Sequence, residues 1–196
     1  MYEVLSFDVG IRNLAYCVMR KRSMTAQFEV CHWEVIDLQS QTLSDITQTL
    51  VRELNARKYL LNVPFVLIES QNCSNALMRS VAHSIQTFFL TRALLVKPRA
   101  ARQEVLFVNP RHKLTVVDSQ AVVTASTPYK RNKKLAVMHC HSLIQDNPGL
   151  LEFFNRLRKK DDLADAFLQG AYFIRERFAR DAEKNRNLKI DLTEDA

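Results

Sequence analysis

Apolar and polar positions fall along the chain in two different rhythms. Residues 2–9, 14–22 and 27–38 carry the period-two alternation or short apolar runs of strands, clearest in Phe28-Glu29-Val30-Cys31-His32-Trp33-Glu34-Val35-Ile36. From residue 43 the rhythm changes. Leu43, Ile46, Leu50 and Leu54 recur at helical spacing, with Ser40 or Thr42 placed to cap the helix. Pro64-Phe65-Val66-Leu67-Ile68 is a continuous apolar run, the mark of a strand buried on both faces. Asn75 to about Val96 is a helix with Leu77, Val81, Ile85, Phe88, Phe89, Leu94 and Leu95 on a broad apolar face. Val105-Leu106-Phe107-Val108 is another buried strand, stopped by Asn109-Pro110. Residues 111–129 read as irregular. Helices follow over 133–145 and 150–180, separated by Pro148-Gly149. From Lys184 the chain is polar and is expected to fray.

Three strands, a helix, a strand, a helix, a strand and then helices predict an α/β fold. An antiparallel three-strand meander leads into parallel strands, giving a mixed five-stranded sheet flanked by helices. The 196 residues suit one domain over 1–183 and a polar tail over 184–196. No apolar run reaches the roughly 20 residues needed to cross a bilayer. The first residues read as a strand rather than a signal peptide, because Glu3 and Asp8 interrupt any apolar core. Four well-separated cysteines without a CxxC pair suit an intracellular reducing compartment. Cys31-His32 and His139-Cys140-His141 invite a zinc reading, but His139 and His141 stand two apart and would leave a helix on different faces.

Charge sharpens this picture. The net +7 comes from one segment. Residues 97–134 hold 9 Lys and Arg against 2 acids, whereas the flanking stretches are balanced. Such a block is either a solvated basic loop or a polyanion-binding surface.

The acids carry the candidate chemistry. Asp8 ends the first apolar strand and Glu69 ends the fourth. Burying a carboxylate is costly unless it is paired or bound to a cation. Ligand sites in open α/β sheets lie beyond the carboxyl ends of strands, so two acids at equivalent strand ends would meet at one edge. A solvent-facing acid or a turn cap would explain either one alone. The last long helix carries Lys159-Lys160-Asp161-Asp162-Leu163-Ala164-Asp165. Asp162 and Asp165 share a face at i, i+3, and Asp161 and Asp165 share one at i, i+4, so spacing leaves Asp161 and Asp162 both open. An exposed acidic turn neutralised by its lysines would satisfy the same sequence. Hard oxygen donors without a converging His/Cys cluster suit Mg²⁺ or Mn²⁺. Two such ions are a usual arrangement for phosphodiester cleavage, and with the basic segment this favours a nuclease.

Four stretches, in order, carry a resemblance: Phe7-Asp8-Val9-Gly10-Ile11-Arg12-Asn13-Leu14-Ala15-Tyr16, Ile68-Glu69-Ser70-Gln71, Tyr129-Lys130-Arg131-Asn132-Lys133-Lys134, and Lys160-Asp161-Asp162-Leu163-Ala164-Asp165. They span about 160 residues. On these the chain resembles the RuvC-like Holliday junction resolvases of the RNase H-fold superfamily, in the branch of poxviruses and other large DNA viruses with a fungal mitochondrial relative. The resemblance implies an RNase H-like sheet and a homodimer that nicks four-way DNA junctions symmetrically. It implies Asp8, Glu69, Asp162 and Asp165 as a catalytic tetrad binding two Mg²⁺ or Mn²⁺ ions, which selects Asp162 over Asp161. It also implies an active-site lysine, for which Lys133 is chosen with Lys134 close behind, and DNA contacts from Lys130, Arg131, Lys133 and Lys134. The 75–96 helix is a candidate dimer contact. A viral relative would act where viral DNA is replicated, a fungal one in the mitochondrion. An RNase H-like or ribosomal-RNA-processing nuclease, or a non-catalytic nucleic-acid-binding module, are the alternatives. An actin-like ATPase would need several glycine-rich phosphate loops, and the chain has 3 glycines in all.

Overall fold

A computed structural model describes residues 1–39, 42–72, 74–96, 103–117, 126–157 and 160–194. Its strands are β1 (Tyr2–Asp8), β2 (Leu14–Lys21), β3 (Glu29–Ile36), β4 (Phe65–Glu69) and β5 (Glu104–Val108). They form one sheet in the order β3-β2-β1-β4-β5. The β1–β2 and β2–β3 pairs are antiparallel, and β1–β4 and β4–β5 are parallel. The helices are α1 (Leu43–Ala56), α2 (Ala76–Val96), α3 (Pro128–Ile144), α4 (Pro148–Arg156) and α5 (Lys160–Glu194). This is the mixed, helix-flanked five-stranded sheet that the sequence pattern predicts.

β1 lies at the centre, so both of its faces are covered and Val4, Leu5, Ser6 and Phe7 are all fully buried. On one face Leu5, Phe7, Tyr16, Val66 and Ile68 pack against Ile46, Leu50 and Leu54 of α1 and Val81, Ile85 and Phe89 of α2. On the other, Val4, Cys17, Met19 and Leu67 meet Ala164, Phe167, Leu168 and Ala171 of α5, with Cys140 and Phe154 beside them. Burying a side chain of this size contributes about 1.5–3 kcal/mol. Small residues bring α5 close. A Cβ on Gly170 would lie 2.8 Å from Met19 Sδ and 3.2 Å from Val4 Cγ2.

The structure revises the helical half. Thr42 caps α1 by accepting from the Asp45 N–H, while Ser40 lies outside the described residues. Pro110–Val116, expected to be irregular, is a 3₁₀ segment. Asn109 caps it by accepting from the Arg111 N–H, and Pro110 fits the first helical position. Residues 118–125 of the same stretch lie outside the described residues. α3 begins at Pro128, five residues before the expected start, because Thr127 caps it by accepting from the Lys130 N–H. Its basic first turns hide that start in the sequence. The helix expected over 150–180 is two: Leu157 turns extended after α4, and α5 then starts at Lys160. α5 also continues to Glu194, so residues 184–194, expected to fray, are helical.

Candidate active site

Phe7 of β1 stands opposite Ile68 of β4 in parallel register, so Asp8 and Glu69, the next residue in each strand, emerge at the same sheet edge. Gly10 shapes the turn that follows Asp8. A Cβ there would meet the Asn13 carbonyl oxygen at 2.4 Å, so no larger residue fits this close approach of backbone to backbone. Two contacts fix α5 above that edge. The Trp33 indole N–H donates to the Leu163 carbonyl at 2.9 Å, and the Gln169 amide donates to Ser6 Oγ at 3.0 Å and to the Phe7 carbonyl at 3.1 Å. Trp33 is itself stacked on Phe154, with centroids 5.1 Å apart. Asp165 lies between these two tethers and is thereby held against the end of β1.

The result is one cleft lined by Asp8, Glu69, Asp162 and Asp165, with Gly10, Arg12 and Asn13 from the first turn. All four acids expected to converge line it. Asp161 does not belong to that lining; it faces a neighbouring hollow with Val137, Met138 and Leu157.

The residue at the centre is one the sequence reading missed. Lys113, in the 3₁₀ segment after β5, places its ammonium 2.8 Å from Asp165, 3.1 Å from Glu69 and 3.7 Å from Asp8. A usable signal exists in the sequence. β5 is the third parallel strand opening on this edge, and Lys113 follows its end by five residues. Lys133, the expected active-site lysine, lines the same cleft on the Asp162 side. Its ammonium is 3.2 Å from Asp162, pairs closely with Asp161, and stands 5.3 Å from the Tyr129 ring centre. Lys130, Arg131 and Lys134 are exposed on the first turns of α3 and continue the basic surface outward.

Burial and the charge of Glu69 push the Asp8 carboxyl well above the usual carboxylate range, against the pull of Lys113. Burial also raises Asp165, again opposed by Lys113. Burial works against the Lys113 ammonium, but Asp8, Asp165 and Glu69 outweigh it and raise its pKa. Lys133 is likewise raised, its hydrogen bond to Asp161 and the charge of Asp162 overcoming desolvation.

This donor set fits a divalent cation. It offers hard carboxylate oxygens from two strand ends and one helix, already gathered around a positive charge. Among the described residues no three acidic, imidazole or thiol groups form a ready ligand cage. Asp8, Glu69 and Asp165 are spaced around the Lys113 ammonium, and Asp162 pairs with Lys133.

A protein-family model for the Poxvirus A22 protein matches residues 3–176. The chain belongs to the Poxvirus A22 protein family. An uncharacterized protein of Acanthamoeba polyphaga mimivirus is 28% identical over 123 residues, 59% of this chain, and the chain spans only 30% of that relative's length. Three solved structures share the fold. The fowlpox virus resolvase, crystallised with Holliday junction DNA, superposes with a TM-score of 0.62 at 18% identity, covering 89% of this chain and 97% of its own. The yeast mitochondrial Holliday junction resolvase Ydc2 gives 0.65 at 18% identity, over 97% and 86%. Thermus thermophilus RuvC, also with a Holliday junction substrate, gives 0.57 at 15% identity, over 91% and 98%. This family member therefore has the RuvC-like, RNase H-like fold.

Proposed function

We propose that the chain is a magnesium-dependent endonuclease that resolves four-way DNA junctions by paired symmetric nicks. The observation that carries this reading is the convergence of Asp8, Glu69, Asp162 and Asp165 in one cleft beside a basic surface. Its family membership and its likeness to three resolvase structures support it.

In this reading Asp8, Glu69, Asp162 and Asp165 hold two divalent ions, Mg²⁺ or Mn²⁺. Such ions supply activation of water and stabilisation of the leaving oxygen in phosphodiester hydrolysis. The clustered carboxylates offer the oxygen donors and negative charge that a divalent cation needs. Lys113 moves from pairing acids to pairing a phosphate oxygen of the strand. Lys133 keeps Asp162 oriented on its side of the cleft, and Lys113 is a second active-site lysine beside it. Lys130, Arg131 and Lys134 carry the flanking duplex by phosphate contacts, which position DNA without reading its sequence.

Paired nicks require two sites, and we assign the chain a homodimeric state. Leu90, Leu94 and Leu95 of α2 are exposed at 41%, 60% and 78%, and they supply apolar surface for the contact.

The test is cleavage of a synthetic junction with mapped nick positions. Opposed, symmetric nicks in magnesium are expected, and one-sided nicks would mark a general branch nuclease. Asp8→Asn and Asp162→Asn should each lower the cleavage rate by on the order of 10³-fold or more while leaving binding largely intact. Full activity of both variants would overturn the assignment.

A further inference from the structure

A second cavity, of about 250 Å³, adjoins the cleft on the α5 side, and Lys113 lines both. Its wall is an aromatic platform. The exposed His112 imidazole lies flat on the Tyr172 ring, with centroids 5.0 Å apart and planes 11° from parallel. Phe173 continues the apolar wall. The backbone that carries His112 is held by its own hydrogen bonds. The His112 N–H donates to the Asn109 carbonyl, and the Thr115 hydroxyl donates to the His112 carbonyl at 2.8 Å. Arg175 then ties the end of this 3₁₀ segment to α5 through the Val116 carbonyl. Arg177 and Arg180, from successive turns of α5, make the rim cationic, and Glu176 sets one carboxylate among them. Arg177 also pairs with Glu104 at 3.0 Å and lies over the Phe65 and Phe173 rings.

We propose that this cavity receives one unstacked nucleobase of the DNA strand whose phosphate lies in the neighbouring cleft. The inference rests on the nuclease reading for its substrate, but the pocket's chemistry points the same way. Flat aromatic faces stack bases whatever their sequence, and adjacent arginines hold the backbone that carries them. Lys113 stands between the cavity and the cleft, so a base in one and its phosphate in the other lie on either side of it. A branch point is where bases are free to leave their stack. Glu176 supplies an acceptor for an exocyclic amino group, which thymine alone of the four bases lacks.

The experiment places 2-aminopurine in turn at each position flanking the crossover of a four-way junction. Wild type, His112→Ala and Tyr172→Leu are compared by fluorescence and by affinity, with thermal melting as the folding control. One position is expected to respond with wild type and to lose that response in both variants. An abasic nucleotide at that position should weaken wild-type binding roughly tenfold and leave His112→Ala binding unchanged. The proposal falls if no position distinguishes wild type from the variants, or if abasic substitution weakens wild type and His112→Ala equally. If wild type does not bind junctions, the junction reading falls by itself. The pocket is then judged by the same fluorescence with a 2-aminopurine single strand, where an unchanged signal in both variants overturns it.

Discussion

Two lysine–carboxylate groups stand side by side in this molecule and differ in depth. In the inner one, the Lys113, Asp8, Glu69 and Asp165 side chains are only 13–15% exposed. In the outer one, Lys133 and Asp161 are 28% and 27% exposed, and only Asp162 is buried to the inner level. The inner group confines three acids around one ammonium, with burial raising Asp8 and Asp165. The outer group is two acids around one ammonium near water. Depth decides what each charge is worth, because a low-dielectric site magnifies both attraction and the cost of a missing partner.

The largest effect expected from breaking this contrast is on the inner lysine. Lys113→Met keeps most of the stem but removes the ammonium, leaving three buried acids without their counter-charge. Loss of one partner from a buried ion pair costs about 3–5 kcal/mol. Denaturant unfolding in chelator should show a loss of that order, and added magnesium should restore part of it. An unchanged midpoint in chelator would show that Lys113 does not hold the inner acids together.

Next in size is the turn that aims Asp8. Gly10→Ala brings a Cβ against backbone, which cannot rotate away, and overpacking of this kind costs about 1–3 kcal/mol. Gly170→Ala meets first the flexible thioether of Met19 and should sit at the low end of that range. Equal melting losses in the two variants would show that the turn yields as readily as a side chain.

The sequence carried the acids and concealed their counter-ion, for identifiable reasons. Asp8 and Glu69 are legible because a carboxylate ending an apolar strand is a local pattern. The register of β1 with β4, which brings them together, is long-range and follows only from reading both strands as parallel neighbours. Asp162 over Asp161 is beyond spacing, because both share a helix face with Asp165. What separates them is the Trp33–Leu163 bond that sets α5's rotation, and that bond joins residues 130 apart. Lys113 stood in a basic stretch without periodicity, and only its place just after β5, a third strand opening on the same edge, marks it out. Lys133 is chosen through the family resemblance, and it lines the cleft 3.2 Å from Asp162. The helix starts at Pro110 and Pro128 were readable from Asn109-Pro110 and Thr127-Pro128, but the charge around them masked the caps.

The third effect has the opposite sign. Asp8 and Asp165 titrate above ordinary carboxylates. The stability they contribute is complete below the ordinary carboxylate range, near pH 4, and is lost as pH rises through their raised values. Once ionised, the pair therefore burdens the metal-free fold. Asp8→Asn removes part of that burden while Glu69 and Asp165 still hold Lys113. It should be more stable than wild type by about 1 kcal/mol at neutral pH without metal, though it is the variant expected to lose cleavage. The gap should widen as pH rises above the ordinary carboxylate range and through the raised Asp8 value. A constant gap across that range would place its origin in packing rather than charge.

The smallest effect belongs to the outer lysine, and its size sharpens the comparison. Lys133 pairs with Asp161 and Asp162 at the rim, where water competes for each partner. Lys133→Ala should cost about 1 kcal/mol or less in metal-free buffer, and most of that should disappear in high salt. The penalty of Lys113→Met should persist there, since salt reaches buried charges poorly. The decisive measurement is the stability of the two variants at low and high ionic strength. Parallel salt dependence would mean that both lysines sit in equivalent surroundings and that depth does not separate them. A persistent inner penalty beside a vanishing outer one would mean that Lys113 fills the place of a cation, while Lys133 trims the rim that DNA approaches.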